Sequence, residues 1–362
     1  MDITQLKKVE LEITSNCNAA CPGCARTIAV ANGSLEPQGE DFTLDDLKRM
    51  FPPGNYTGVE FKFCGVLGDP AIHPQFADML EYLLENEGMC SISTNGAVGT
   101  ADMWRRLGAL CKKYQKRFHL HWCIDGHKET NHIYRVNTVW KVLERNMNAF
   151  VETVGEYTYR AKWVYIVFDH NEHEVDAARQ HAERLGFNFA TRTGMRNSFH
   201  QWTAQIKKKD HEKKKVVTTT KVITTTGKKE HSKVEQVKEL DKFIANENKT
   251  KEETFKIVNS IQCKYVHEAE IFISADQTMW PCCFLADWGR KNNDNILDKL
   301  AEYGTGWNSL KDKSVTEIMQ HPWFEKILAD SWDPSHPKHL KRCIRTCAYN
   351  KAYHNELIDE TK

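Results

Sequence analysis

Three cysteines near the start of the chain, Cys17, Cys21 and Cys24, are spaced to bind a metal group. Their odd number does not suit a disulfide framework, and residues 1 to 9 lack the apolar region of a signal peptide. A structural zinc site normally closes with four local Cys or His ligands, yet the next candidates are Cys64 and His73. A Pro-Gly pair before the third cysteine interrupts a helix, so we predict a loop that wraps around the metal.

The spacing C-x-x-x-C-x-x-C, directly after a short apolar strand, resembles the signature of the radical S-adenosylmethionine (SAM) enzymes. In that family three thiolates hold three irons of a [4Fe-4S] cluster, and the fourth iron stays open for SAM. Such a cluster is incomplete in the way that a catalytic metal site must be. The resemblance implies that Cys17, Cys21 and Cys24 ligate this cluster. A zinc or structural site with the same spacing is the alternative.

A glycine-rich turn follows the second predicted strand. The stretch from Gly65 to Pro70, Gly-Val-Leu-Gly-Asp-Pro, resembles the family motif that usually ends Gly-Glu-Pro. The resemblance implies that the backbone around Gly65 and Gly68 approaches the amino group of SAM, where glycine permits close contact. Asp69 replaces the usual glutamate and is carried over as a SAM-binding residue. An ordinary strand-to-helix turn is the structural alternative.

Two more motifs follow the third and fourth predicted strands. The stretch Ser-Thr-Asn-Gly at 93–96 is similar to the Thr-Asn-Gly turn of the family, which implies that Ser93 and Asn95 lie near the ribose and methionine of SAM. Asp125 begins an Asp-Gly turn, and Arg135 follows in a Tyr-Arg pair. The resemblance implies that Arg135 pairs with a carboxylate of SAM or of a substrate. The alternatives are a common Asn-Gly turn and a solvated arginine.

The elements that must position these motifs alternate between strand and helix. The sequence predicts strands at 9–14, 59–64, 89–94, 118–124, 163–168 and 187–191. It predicts helices between them at 43–51, 74–86, 101–114, 138–154 and 172–185. This alternation predicts an α/β fold with a parallel sheet and helices outside. The family resemblance implies a partial (β/α)6 barrel over residues 1–204, with the active site at the carboxyl ends of the strands.

A second group of cysteines follows near the end of the chain, at Cys263, Cys282, Cys343 and Cys347. It resembles the C-terminal auxiliary-cluster domains of radical SAM enzymes, called SPASM in the seven-cysteine form and twitch in the shorter form. The resemblance implies an auxiliary [4Fe-4S] cluster with these four ligands, in a smaller domain at 256–362. Gln277 stands where the family has a glycine, and the spacing from it selects Cys282 rather than Cys283. A four-cysteine zinc ribbon is the alternative.

Residues 205–255, between the two cysteine groups, are rich in Lys, Thr and Glu and poor in apolar residues. This composition predicts a solvated insert or linker. The lysines at 207–209 and 213–215 could contact an anionic partner, but the segment has few aromatic side chains for stacking on bases. We therefore do not expect nucleic acid as a partner.

The composition predicts a soluble globular protein. The 362-residue chain is 40% hydrophobic, and its net charge of +1 gives no argument for nucleic acid or an acidic partner. No stretch approaches the roughly 20 apolar residues of a membrane span, so we expect no membrane partner. The twelve cysteines, without a signal peptide, predict a reducing, cytoplasmic location.

Together the motifs predict a radical SAM enzyme. The resemblance implies that an electron from the first cluster cleaves SAM to methionine and a 5'-deoxyadenosyl radical, which takes a hydrogen from the substrate. It also implies a peptide or a small polar alcohol or sugar as substrate, and a reductant such as flavodoxin or ferredoxin. Arg192 and Arg196 are candidates for binding anionic substrate groups. The alternative is a non-catalytic zinc-binding protein whose Lys-rich segment contacts nucleic acid.

Overall fold

The computed structural model describes residues 3–36, 38–64, 66–193, 242–243, 246, 250–290, 295–350 and 358–359. Gly65, Arg196 and nearly all of the predicted insert lie outside the described residues. In chain order the strands are β1 (Lys8–Leu11), β2 (Glu60–Phe63), β3 (Met89–Thr94), β4 (Phe118–Cys123), β5 (Ala161–Val167), β6 (Asn188–Thr193), β7 (Glu270–Ile273), β8 (Met279–Trp280) and β9 (Ile358–Asp359).

Helices connect most of these strands. In chain order they are α1 (Ala25–Ala31), α2 (Leu44–Met50), α3 (Phe76–Glu85), α4 (Ala101–Tyr114), α5 (Asn131–Tyr134), α6 (Trp140–Val154), α7 (Val175–Arg184), α8 (Lys251–Asn259), α9 (Lys264–Glu268), α10 (Cys283–Arg290), α11 (Ile296–Leu300), α12 (Val315–Met319), α13 (Leu328–Asp330) and α14 (Lys341–Cys347). Short 3₁₀ turns at Pro70–Ile72 and Glu172–Glu174 precede α3 and α7, and Trp323–Ile327 forms a π-helical turn.

The chain divides into two compact units that interleave along the sequence. The first comprises Met1–Glu10, Asp45–Val59 and the described part of Thr224–His354. The second comprises Leu11–Leu44 and the described parts of Glu60–Ile223 and Asn355–Lys362. The domain boundaries at 204 and 256 stay a prediction.

The second unit is built on an open, mostly parallel sheet. Strands β2, β3, β4, β5 and β6 pair in that order, each parallel to the next. At the far edge β9 pairs with β6 in the antiparallel direction. The chain enters this unit at the end of β1, where the Leu11 carbonyl accepts a hydrogen bond from Cys64 N at 3.3 Å. Parallel neighbours require crossover connections, which the helices between the strands provide. The predicted α/β class with a parallel sheet is confirmed, and this open sheet is compatible with the predicted partial barrel.

One face of this sheet carries the hydrophobic core of the unit. Its large buried side chains include Phe61 on β2, Ile92 on β3 and Trp163 on β5. Trp122 on β4 stacks on Trp104 of α4, with ring centroids 4.5 Å apart. Burial of aromatic side chains of this size supplies much of the apolar area that stabilises a sheet against its helices.

The opposite face is polar and only half-buried. The strand register places Ser93, His121, Lys162 and Asn188 side by side on four neighbouring strands. Along β4, buried apolar residues alternate with half-buried polar ones. A strand covered on both faces reads instead as a continuous hydrophobic run. We therefore call this polar surface of β2 to β6 the inner face and expect it to border a solvent- or ligand-filled interior.

In the first unit, β7 and β8 form an antiparallel hairpin. Gln277 lies in its turn with φ at +66°, the left-handed region that favours glycine. This is the position at which the family pattern has glycine. The turn is held by a hydrogen bond from Leu310 N to the Gln277 carbonyl at 2.8 Å, and by one from Arg49 Nη2 to its Oε1 at 2.8 Å.

The predicted alternation of strands and helices is confirmed over β1 to β6, with small shifts at the element ends. The helix predicted at 74–86 begins at Phe76, and the helix predicted at 172–185 begins with a 3₁₀ turn. Helix α1 is absent from the predicted elements because only seven residues form it and its N-cap makes no side-chain hydrogen bond. None of the described helices combines the length and hydropathy needed to cross a membrane.

Candidate functional site

The loop that carries the first three cysteines follows β1 and is held by distant segments. The Asn16 carbonyl accepts a hydrogen bond from Asp69 N at 2.8 Å, and Asn16 Oδ1 accepts one from Gly39 N at 2.8 Å. Further along, Ala20 N donates to the carbonyl of Val136 at 3.0 Å. Tertiary hydrogen bonds therefore satisfy the loop backbone where a helix would otherwise do so. The predicted non-helical loop is confirmed.

The three cysteines lie close enough for their charges to interact. Burial, together with the charges of Asp69, Cys21 and Cys24, raises the pKa of Cys17 to about 12. Burial also raises the pKa of Cys21; the charge of Arg135 opposes this effect and that of Cys24 adds to it. Crowded thiols of this kind bind a cation by releasing their protons. The donor set therefore fits a cationic group held by three thiolates.

Asp69 is buried, and its carboxylate joins two strand ends. Its Oδ1 accepts hydrogen bonds from Thr94 Oγ1 at 2.8 Å and from Ala71 N at 3.1 Å. Its Oδ2 accepts hydrogen bonds from Asn95 N at 2.7 Å and from Asn95 Nδ2 at 2.6 Å. Four donors thus occupy this carboxylate, which braces the glycine-rich turn against the turn after β3. The SAM contact of Asp69 stays a prediction.

Asn95 connects the Asp69 carboxylate to the cysteine loop. Its Nδ2 donates to Asn18 Oδ1 at 2.9 Å and lies 3.9 Å from Cys17 Sγ. Asn18 Nδ2 in turn donates to the Ala97 carbonyl at 3.1 Å. The turn after β3 therefore positions the first cysteine. Ser93, the other residue predicted here, is half-buried on the inner face of β3.

Asp125 and Arg135 form an ion pair beside the cysteines. Arg135 Nε lies 2.7 Å from Asp125 Oδ2, and the Asp125 side chain is fully buried. Asp125 Oδ1 accepts a hydrogen bond from Ile166 N at 2.7 Å, which ties the turn after β4 to β5. Burial lowers the pKa of Arg135, but the charge of Asp125 raises it, so the guanidinium stays protonated. Its Nη1 lies 3.8 Å from Cys21 Sγ. The alternative of a solvated arginine is wrong.

Gly68 lies against the start of the cysteine loop. A Cβ atom at this position would lie 1.7 Å from the carbonyl oxygen of Thr14, so only glycine fits without a backbone shift. Glu12, absent from the predicted site, is 1% exposed, and its Oε1 accepts a hydrogen bond from Leu67 N at 2.6 Å. Its signal in the sequence is an acidic residue in the short strand that leads into the cysteine motif.

The second cysteine group comes together in the first unit. Burial raises the pKa of Cys343 well above that of a free thiol, and the charges of the other three predicted ligands raise it further. Burial also raises the pKa of Cys282 and Cys347 to about 12, and the charge of Cys263 adds to the effect on both. Gln262 N donates to the Cys347 carbonyl at 3.0 Å, which joins the two ends of this segment.

The neighbouring Cys283 has a different environment. It is half-buried at the start of α10, whereas Cys282 is 9% exposed. The charge of Cys283 acts on Lys264, which pairs with Glu270 at 2.7 Å. The assignment of Cys282 as the ligand stays a prediction, and its burial among the other three cysteines favours it.

Among the described residues, no group of three or more His, Cys, Asp or Glu side chains is placed to hold a single metal ion.

No protein-family model matches the chain. One curated relative is the tungsten-containing aldehyde ferredoxin oxidoreductase cofactor-modifying protein of Pyrococcus furiosus, which is 30% identical over 106 residues. The match covers 29% of this chain and 28% of that protein. The matched region thus spans less than a third of the curated relative.

Three solved structures illustrate the likeness in fold. Streptococcus suis SuiB bound to S-adenosylmethionine gives a TM-score of 0.46 at 12% identity, over 92% of this chain and 67% of that chain. SuiB bound to the precursor peptide SuiA gives 0.49 at 11% identity, over 92% and 66%. The protein anSMEcpe with bound AdoMet gives 0.47 at 12% identity, over 97% and 89%. The cysteine motif of this chain resembles that of the radical SAM enzymes.

Proposed function

We propose that this chain is a radical SAM enzyme whose first cluster is held by Cys17, Cys21 and Cys24. One observation carries the proposal: hydrogen bonds join the cysteine loop to the segments that follow β2, β3 and β4 at one edge of a parallel sheet. Open α/β sheets bind their ligands outside the carboxyl ends of the strands. When bound, the cluster and SAM supply the electron and the radical that abstract hydrogen from a substrate.

Side chains around the three cysteines fix the positions of Cys17 and Cys21. The hydrogen bonds of Asn95 to Asp69 and Asn18 fix the turn beside Cys17. The ion pair of Asp125 and Arg135 places a positive charge beside Cys21. Hydrogen bonds and charges around the ligands tune an iron-sulfur cluster, and a nearby cation favours its more negative, reduced form.

We assign SAM to the turns that follow β2, β3 and β4, with contacts at Gly65, Gly68, Ser93 and Asn95. The carboxylate of Asp69 already accepts four hydrogen bonds. We therefore expect Asp69 to support SAM by fixing the backbone of two turns. Arg135 is likewise paired with Asp125. We therefore expect its positive charge to act on the cluster through Cys21 and not to bind SAM.

The second cysteine group fits an auxiliary [4Fe-4S] cluster held by Cys263, Cys282, Cys343 and Cys347. The substrate class remains a peptide or a small polar alcohol or sugar, and the reductant a flavodoxin or ferredoxin. None of the twelve cysteines forms a disulfide bond, which supports the reducing, cytoplasmic location.

Anaerobic reconstitution with iron and sulfide tests the cluster assignment. We expect about eight irons per chain, four from each cluster. Electron paramagnetic resonance of the reduced protein should show a cluster signal that changes when SAM is added, because SAM binds the open iron. Cys24→Ala should lose the signal that responds to SAM.

The matched control is Cys111→Ala, which removes a buried cysteine of α4 that belongs to neither set. It should keep both the iron content and the response to SAM. A colourless protein that binds zinc after the same treatment would contradict the proposal and favour the zinc-binding alternative.

A further inference from the structure

The inner face of the second unit carries basic side chains from four of its five parallel strands. They are Lys62 on β2, His119 and His121 on β4, Lys162 on β5 and Arg192 on β6. His119 and His121 face Ser91 and Ser93 of β3 in register, and His121 faces Lys162 directly on the other side. His121 and Lys162 lie on adjacent strands about 4.8 Å apart, whereas Arg192 lies four residues further along the sheet than the partner of Lys162, so only its long side chain can extend back towards them.

The titration of the two histidines indicates how much positive charge this face holds. Burial, together with the positive charges of Lys162, His119, Arg192 and Lys62, lowers the pKa of His121 to about 4. Burial lowers the pKa of His119 as well, and Arg160 and Lys162 add to the effect. The negative charge of Glu60 raises the pKa of His119 and so opposes this effect. Crowded positive charges of this kind attract an anion, and a partly buried site screens them less than water does.

Arg192 extends this surface towards the carboxyl ends of the strands. It faces Ile166 in register, and Ile166 N donates to the buried Asp125 beside the cysteine loop. The positive charge of Arg192 lowers the pKa of Cys123 as well as that of His121. The buried Nε atom of Arg192 has no hydrogen-bond partner within the described ranges. A guanidinium N–H group without an acceptor among these residues can donate a hydrogen bond to an oxygen of a carboxylate or a phosphate.

We propose that the inner face binds an anionic oxygen group of the substrate, a carboxylate or a phosphate, through Arg192, Lys162 and His121. The identification of this anion as part of a substrate rests on the proposed function. An anion bound there would hold the substrate against the inner face. The substrate would then lie next to the edge of the sheet at which the cysteine loop meets the turns after β2, β3 and β4. Lys62 and His119 add to the positive potential that draws the anion in.

Equilibrium dialysis of the anaerobically reconstituted protein tests the proposal, with radiolabelled inorganic phosphate in one arm and radiolabelled acetate in the other. Ionic strength is held constant with chloride. We expect at least one of the two anions to bind at one site per chain. Arg192→Gln should weaken binding about ten- to a hundredfold, which corresponds to one lost charge-assisted hydrogen bond. Arg184→Gln, an exposed arginine of α7, should leave binding unchanged.

His121→Gln provides a second variant and should also weaken binding. The thermal midpoint of Arg192→Gln should equal or exceed that of the unmodified protein without anion, because the substitution removes repulsion between like charges. Absence of specific binding of either anion, or equal binding by the Arg192 and Arg184 variants, would overturn the proposal. These outcomes do not depend on SAM cleavage, so the anion site and the radical reaction are tested separately.

Discussion

The guanidinium Nε of Arg135 lies 2.7 Å from the carboxylate Oδ2 of Asp125, and its Nη1 lies 3.8 Å from Cys21 Sγ. The carboxylate belongs to the turn after β4 and the cysteine to the loop after β1. The pair therefore couples two segments that are more than a hundred residues apart in the sequence. It also places a cation next to one of the three thiols proposed to bind the cluster.

Removal of one partner of this pair should destabilise the second unit strongly. We expect Arg135→Met to lower the free energy of unfolding by about 3–5 kcal/mol, because it leaves the carboxylate of Asp125 buried and unpaired. Urea unfolding of the reduced, metal-free protein measures the loss. The control is Arg105→Met, which breaks exposed pairs with Asp102 and Glu152 and should have little effect. Equal effects of the two substitutions would contradict the assignment of a buried pair.

Gly68→Ala should disturb the cysteine loop. The added Cβ would lie 1.7 Å from the Thr14 carbonyl oxygen, so the backbone of one of the two segments must move. We expect a loss of about 2–3 kcal/mol in unfolding free energy and less iron after reconstitution. Gly58→Ala is the control: no atom lies within 4 Å of its Cβ, and φ is +75°, so only backbone strain of about 1–2 kcal/mol is added. Normal iron content in Gly68→Ala would contradict the close packing.

The stability of the protein should fall as the pH drops from about 6.5 to about 4. Burial and the charge of His127 lower the pKa of His181 to about 4, whereas an unfolded histidine titrates near 6.5. Between these values the unfolded chain binds more protons than the folded one, so acid favours unfolding. Below about pH 4 this histidine contributes no further change.

Urea unfolding at several pH values measures this dependence. His181→Gln should reduce the slope between pH 6.5 and 4, and His132→Gln, an exposed histidine of α5, should leave it unchanged. An unchanged slope in the His181 variant would show that this group titrates alike in both states.

The two neighbouring cysteines of the first unit should respond differently to substitution. Cys282→Ala should reduce the reconstituted iron content from about eight to about four per chain, because it removes a ligand of the proposed auxiliary cluster. Cys283→Ala should keep about eight, since that thiol is half-buried at the start of α10. The opposite pattern of iron loss would assign Cys283 as the ligand.

Local patterns were sufficient to predict the strands β1 to β6, the helices α2, α3, α4, α6 and α7, and the position of the cysteine loop. The alternation of His119 and His121 with apolar residues in β4 already marks a strand with one polar face. The partners of Asp69 and Arg135 could not be predicted in this way. Thr94 and Asn95 lie at the end of β3 and Cys21 in the loop after β1, so only the folded sheet brings them to Asp69 and Arg135.

The same limit applies to Arg192, which in the sequence is indistinguishable from a surface arginine. Its half-buried place on the inner face depends on the register of β6 with β5. The helix α1 escapes prediction for the opposite reason, since it is short and lies next to a loop whose conformation is set by tertiary hydrogen bonds.

Formation of 5'-deoxyadenosine from SAM tests the central claim most directly. The anaerobically reconstituted protein is reduced with dithionite, and the product is quantified by liquid chromatography for the unmodified chain, Cys24→Ala and Cys111→Ala. The account predicts 5'-deoxyadenosine and methionine in equal amounts from the unmodified chain and from Cys111→Ala, and none from Cys24→Ala. Intact SAM in all three samples, despite a full complement of iron, would contradict the assignment of this chain as a radical SAM enzyme.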